Sequence, residues 1–278
     1  MTNQPFFTKD GDAFVPTAVA NGPWDPNSLH GRVIIGLLAF AIEQRHGSDD
    51  FVPARLTVDM FRLPNMAPIE VMTKLVRDGM RIKVVEAEFF SGGVSMARAS
   101  CQMLRRTENA PGHVWSPPNW DVPRPADIAA PTDPRLGMNG KWTTRPIVGA
   151  MGSPGPRRLW MSEVRELVEG VPMTPFVHVA TGADFASPFA NAGDQGLGYI
   201  NSDVTLYLHR LPVTRWVGFE VVRLANAGST TSRARSGRRR SPHWRRRSRW
   251  RNRRRRSSVV TPREGGASSI PEPFEIDR

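Results

Sequence analysis

Two short stretches in the second half of the chain hold the residues with chemical potential. In Thr181-Gly182-Ala183-Asp184-Phe185-Ala186-Ser187-Pro188 a carboxylate, Asp184, follows Ala180, Thr181, Gly182 and Ala183. Those small side chains stand where bulk would ordinarily fill a core, so the pattern leaves room for a ligand beside the acid. In the stretch from Tyr199 to Arg210 an amide, Asn201, sits at the mouth of an alternating run, with Val204, Leu206 and Leu208 on one face and Thr205, Tyr207 and His209 on the other. The bland alternatives are a solvent-facing helix-end carboxylate for Asp184 and a turn residue for Asn201, within the turn-like Asn201-Ser202-Asp203. Other chemistries find less support. With one cysteine, Cys101, and no His pair at i, i+4 spacing there is no zinc motif, and no cofactor is expected. Gly92-Gly93 reads as a hairpin turn and not a phosphate loop, and neither Ser162 nor Ser187 sits in a nucleophile elbow. Hydratase chemistry would want an Asp and a His on one helix; His178 precedes Asp184 by six positions and points elsewhere.

The elements that must position these residues follow from local signals. Thr174 can cap a helix, Pro175 suits its first position and Pro188 is a stop, which predicts a helix ending beyond Asp184. In the first half, Asn27 or Ser28 can cap a helix from His30 to about His46, closed by Gly47. Val33, Ile34, Ile35, Leu37, Leu38, Phe40, Ala41 and Ile42 go nearly all the way round it, so it must be swallowed by other elements, as by a sheet curled around it. Four strand-like runs follow: Arg55 to Leu63, Ile69 to Arg77, Met80 to Phe90 and Ser95 to Leu104. Asp78-Gly79 and Gly92-Gly93 are hairpin turns between them. Phe6-Phe7 and Phe14-Val15 can add a first strand at the edge. The pattern alone says α+β.

An internal repeat organises the chain. A shift of 148 residues lays Leu56-Thr57-Val58-Asp59-Met60-Phe61-Arg62-Leu63-Pro64 on Val204-Thr205-Leu206-Tyr207-Leu208-His209-Arg210-Leu211-Pro212, and places His30 on His178. We therefore read an N-terminal unit over 1–106, a linker rich in Pro, Gly and Asn over 107–157, an incomplete C-terminal unit over 158–227 and an Arg-rich tail over 228–278. The second unit has only two strands after its helix, Val204 to Leu211 and Trp216 to Leu224.

Charge is distributed unevenly. The tail's 16 Arg against 4 acids account for the whole net charge of +12, leaving 22 bases and 22 acids in residues 1–227. A neutral body offers no electrostatic footprint for nucleic acid, so such a partner is expected at most through the tail. The longest apolar run, Val33 to Ile42, falls short of the ~20 residues needed to span a bilayer, and no membrane insertion is expected. The lone cysteine and the absence of a basic-then-apolar leader give the expectation of a cytoplasmic protein.

Over roughly residues 20–224 the chain resembles the type II acyl-CoA thioesterase family. The resemblance is carried by the order and spacing of "HGRVIIGLLAFAIE", "RDG" at 77–79, "GADFASP" and "NSDVTLYLHR". It implies a double hotdog, two tandem antiparallel sheets each wrapped on a central helix, with the second hotdog here missing its last strands. It implies hydrolysis of a fatty acyl-CoA to free acid and CoA, within lipid metabolism. Asp184 matches the family's Asp as the base that orients the attacking water, and Asn201, counted back from His209-Arg210, takes the place of its Thr as a second anchor. Backbone N–H groups at His30 and Gly31 are the implied oxyanion site, at the positive end of a helix dipole. The acyl chain would lie between helix and sheet, CoA phosphates would meet surface arginines, and an intact version would be a homodimer. The family also places a Gln on a late strand, and no Gln follows Gln195. The alternative is therefore a catalytically impaired acyl-CoA or acyl-chain binder.

The tail has three readings. It is a solvated disordered segment, a nucleic-acid arm with Trp244 and Trp250 to stack on bases, or a stretch translated in the wrong frame. The last is favoured, because Arg outnumbers Lys 34 to 4 across the chain and shifted frames of GC-rich genes tend to spell Arg, Ser, Gly and Pro. Re-reading the DNA from about codon 228 in another frame is expected to restore two amphipathic strands and a Gln; finding neither in either frame defeats the idea.

Overall fold

A computed structural model describes residues 4–108, 111–113, 115, 120–133 and 140–223, with short strands at 233–234 and 258–260; the rest of the Arg-rich tail lies outside the described residues, and with it the wrong-frame reading. The first unit is built around helix α1 (Gly31–His46), in which every residue from Arg32 to Ile42 is buried. Neither Asn27 nor Ser28 caps it. His30 is the N-cap, its Nδ1 3.3 Å from the Arg32 amide nitrogen, while Ser28 Oγ donates back to Asp25 O at 2.7 Å. Around α1 runs an antiparallel meander of β3 (Phe51–Met60), β4 (Ile69–Asp78), β5 (Ile82–Ser91) and β6 (Val94–Arg105), with β6 returning to pair with β3. The hairpin of β1 (Phe7–Asp10) and β2 (Ala13–Pro16) joins through Phe14 opposite Ile69. Alternation explains the wrap: Val85, Ala87 and Phe89 of β5 and Ala97, Ala99, Cys101 and Met103 of β6 turn inward onto α1.

The second unit repeats the plan. Strand β7 (Trp142–Val148), which falls within the range read as linker, pairs with β8 (Arg158–Glu163). Helices α2 (Pro175–Ala183) and α3 (Ala186–Asn191) follow, then β9 (Asp203–Tyr207) and β10 (Val217–Arg223). Thr174 caps α2 as expected, accepting from Val177 N–H at 3.2 Å. The sheet order is β1-β2-β4-β5-β6-β3-β9-β12-β11-β10-β8-β7, so the second unit reads from the far edge as the first does from the near one. Where β5 and β6 stand in the first unit, the described residues of the second form only β11 (Arg233–Ala234) and β12 (Ser258–Val260). Moreover, β12 runs parallel to β9, whereas β6 runs antiparallel to β3. The chain is thus an α+β double hotdog, with full-length last strands in the second unit not found among the described residues. No helix among the described residues is long and apolar enough to cross a membrane.

The two units meet at β3 and β9, antiparallel, with Thr57 opposite Thr205 and their hydroxyls 3.4 Å apart. Those are the two threonines that the 148-residue shift superposes, so the repeat pairs with itself across a local two-fold. Leu56 against Leu206 and Val58 against Val204 then close the core beneath, all four at most 1% exposed.

On the other side of that core α1 and α2 cross closely because their contact residues are small. A Cβ on Gly36 of α1 would collide with Thr181 Oγ1 of α2, while Gly182 on α2 lies against β8, where a Cβ would meet Met161 Cε at 3.2 Å. Thr181 therefore serves the helix crossing and Gly182 the packing of α2 on the sheet; the room beside them is filled by protein. A buried ion pair also ties the units, Arg32 of α1 to Glu163 of β8, with the guanidinium 3.8 Å from the Trp142 ring centre.

Two stability outcomes follow. Gly36→Ala overpacks the crossing and should cost about 1–3 kcal/mol in urea unfolding, while Thr181→Ala in the same chain should recover most of it, a coupling that a double-mutant cycle reads directly. Glu163→Ala strands a buried guanidinium and should cost about 3–5 kcal/mol, whereas Arg32→Met with Glu163→Leu should restore stability to near that of the parent.

Candidate active site

Asp184 owes its position to a break in the helix. A continuous α-helix would bond its carbonyl to the amide four residues on, but that residue is Pro188, which has no N–H. Instead Phe185 N–H reaches Gly182 O at 3.1 Å and Ser187 N–H reaches Asp184 O at 3.3 Å, a tightened turn. Helix α3 then resumes with Pro188 in its first turn, where a missing donor costs nothing. Pro188 was expected to end the helix; it interrupts it one turn earlier, and the interruption is what turns Asp184 inward.

The carboxylate is buried, 4% exposed, and both oxygens are engaged. Asn201 Nδ2 donates to Oδ1 at 3.0 Å, and His30 Nδ1 lies 3.2 Å from Oδ2. Gly31 packs against the same group, and a Cβ there would stand 2.6 Å from Oδ1. All four residues singled out from the sequence therefore converge: the acid and amide from the second unit, His30 and Gly31 from the helix start of the first. His30 N–H is itself taken by Ala20 O at 3.0 Å, which leaves the Gly31 amide, first in the helix and without an intrahelical acceptor, as the remaining donor of the expected pair.

Electrostatics fix the charge states. Burial pushes the Asp184 carboxyl up, but the His30 hydrogen bond and charge, the Asn201 amide and the nearby Arg32 together hold it below the ordinary 3.8. Burial lowers His30 below 6.5, and Arg32 and Lys141 add to it, against the pull of Asp184. Near pH 7 the pair is thus a carboxylate beside a neutral imidazole. Burial also brings Lys141 down to about 8, its ammonium donating to the backbone and side-chain oxygens of Asn21. An aromatic wall closes the site: Trp142 stands edge-on to the His30 ring at 6.0 Å and to Phe185 at 5.9 Å, and Phe185 packs on Phe189 and Phe219.

The local two-fold carries no second copy of this cluster. The 148-residue shift carries Asp184 to Gly36 and Gly31 to the fully buried Val179, so acid and cradle are both lost. His178, the counterpart of His30, has Nε2 within 2.5 Å of Arg215 O and makes no contact with Asp184. The imidazole of His30, together with Arg32, Lys141, Trp142 and Glu163, was not identified from the sequence as part of the site. One signal was present: an arginine at the second position of a helix that must be swallowed needs a buried partner.

Residues 20–104 match the acyl-CoA thioesterase N-terminal domain and residues 116–238 the acyl-CoA thioesterase C-terminal domain. The fold is similar to that of the tesB protein of Mycobacterium avium subspecies paratuberculosis, at 16% identity over 78% of this chain and 82% of that one, with a TM-score of 0.56. It is similar also to acyl-CoA thioesterase II TesB2 of Mycobacterium marinum, at 13% identity over 78% and 83% with a TM-score of 0.52. A hot dog fold protein of Alicyclobacillus acidocaldarius aligns at 17% identity over 80% and 84%, with a TM-score of 0.60. No curated protein sequence matches the chain. With both domains matched in order over its two sheet-wrapped helices, the chain belongs to the acyl-CoA thioesterase family.

Proposed function

We propose that this protein hydrolyses the thioester of a fatty acyl-CoA, releasing free acid and CoA by attack of an activated water. The observation that supports this best is the ionised, buried Asp184 held by Asn201 against the first turn of the other unit's helix. A thiolate leaves readily, so the chemistry asks chiefly for an oriented, polarised water and for donors to the developing oxyanion. Asp184 supplies the fixed negative charge that polarises the water. Asn201 spends its amide N–H on that carboxylate and so fixes the direction of its charge. The Gly31 N–H and the positive end of α1 suit the oxyanion. The acyl chain would lie between helix and sheet beside the aromatic wall, with surface arginines toward the CoA phosphates.

A binding role is favoured by one observation, the lack of any Gln after Gln195 where the family places a third water-holding side chain. Thiol release from medium- and long-chain acyl-CoA, measured beside acyl-CoA binding on the same full chain, separates the two. The expected result is release, with Asp184→Asn lowering kcat by about 10²–10⁴-fold while acyl-CoA still binds. Binding without release by the unaltered chain would favour the impaired binder.

A further inference from the structure

We propose that the atom which takes the proton from the attacking water is Nε2 of His30, with Asp184 one hydrogen bond behind it; this rests on the thioesterase reading and deepens it. The carboxylate is poorly placed to do so itself. Its Oδ1 already accepts from Asn201 Nδ2 at 3.0 Å, its Oδ2 faces His30 Nδ1 at 3.2 Å, Gly31 closes another side, and only 6% of the side chain is exposed.

The tautomer decides which imidazole nitrogen is free. Nδ1 lies 3.2 Å from Oδ2 and 3.3 Å from the Arg32 amide, and it cannot both donate to the one and accept from the other. A lone pair aimed at a carboxylate is repulsive, whereas N–H toward a carboxylate is a charge-assisted bond. The proton therefore sits on Nδ1, and the Nε2 lone pair is left over. Nε2 has no hydrogen-bond partner among the described residues, and 11% of the side chain is exposed. The ring is held in place by Asp184 on one side and the Trp142 edge on another.

The charged groups around the ring come from every element packed on it. Asp184 is at the α2–α3 break and Arg32 on α1; Lys141 precedes β7, and Glu163 on β8 is paired with Arg32. Arg32 and Lys141 oppose protonation and Asp184 assists it, with burial the largest influence, so the ring is neutral and basic at pH 7. In the forward step water loses a proton to Nε2 as its oxygen bonds to the thioester carbon and the carbonyl electron pair moves to oxygen. Collapse of that oxyanion breaks the C–S bond, and the imidazolium returns its proton to the departing thiolate. Water and thioester become acid and thiol with nothing left over.

The test uses the full chain, its His30→Asn, His30→Ala and Asp184→Asn variants, and pH profiles of thiol release. Asparagine is a good helix cap and keeps an N–H toward Asp184, so His30→Asn should fold. For the unaltered chain kcat should rise with pH through a limb centred below 6.5, the ordinary histidine value. His30→Asn should lose that limb and about 100-fold or more in kcat with KM little changed. Added imidazole should restore part of the His30→Ala rate. In Asp184→Asn the limb should persist at lower pH, because the group that raises the His30 pKa is gone. Nitrogen-15 NMR of the full chain should show His30 as the Nδ1–H tautomer whether or not turnover occurs. Retention of the limb and of over a third of the rate in His30→Asn, or an Nε2–H tautomer, overturns the proposal and leaves the carboxylate as the base. Absence of thiol release by the unaltered chain, with the Nδ1–H tautomer present, overturns the thioesterase reading itself and the catalytic role of His30 with it.

Discussion

The missing side chain at Gly31 is the constraint on which the site depends. It lets a carboxylate from one unit come within contact of the first turn of the other unit's helix, where any Cβ would stand 2.6 Å from an Asp184 oxygen. Burying a carboxylate without compensation would raise its pKa and neutralise it. Here the imidazole of His30, the amide of Asn201 and the nearby Arg32 offset desolvation, so the charge survives burial. A charge kept in a water-poor site acts on a bound water far more strongly than the same charge would at the surface. The same contact binds the two halves, since each supplies what the other's polar group requires.

Duplication supplied the scaffold, and asymmetry supplied the site. The local two-fold at Thr57 and Thr205 offers two equivalent places where a helix start could meet an acid. Only one is furnished. In the other, Gly36 is used for helix crossing against Thr181 and Val179 fills the cradle, so the twin has become part of the core. His178 shows the same division: it keeps the place of His30 in the repeat but binds a backbone carbonyl from the loop before β10.

Much of this was legible in the sequence where the signal was local or repeated. The all-round apolar character of residues 33–42 requires a wrapped helix, the Asp-Gly turn gives a hairpin, and the shared Thr-Arg-Leu-Pro spacing gives the second copy. Asp184 and Asn201 were found from their motifs, and they do meet. What the pattern did not give was a contact between elements far apart in the chain. The partner of Asp184 is His30, 154 positions earlier, and nothing local to His30 distinguishes an imidazole that caps a helix from one that also faces a carboxylate. The small residues before Asp184 misled for the same reason: smallness marks close approach, and only the fold says whether a ligand or a helix does the approaching. Pro188 was read by the rule that proline stops a helix, whereas its effect falls on the carbonyl four residues back.

The incomplete second sheet bears on one part of the chemistry and not another. Strand β9 keeps a long partner on one edge, β3, so Asn201 just ahead of it is placed by the intact side of the sheet. Asp184 is placed by the α2–α3 break and by packing on α1, and His30 by a helix and loop of the first unit. Of the three, His30 alone is placed without β11 and β12, since α3 packs on both of them and β12 pairs with β9. The Gln that the family resemblance would put on a late strand depends on them too. The imidazole–carboxylate–amide cluster is held chiefly by α1, the α2–α3 break and the β3–β9 seam, while the third side chain that the resemblance implies has no Gln after Gln195 to supply it. The consequence is a division of labour: the proposed proton transfer from water draws on the cluster around Asp184, and the restraint of that water implied by the resemblance draws on a side chain from a late strand.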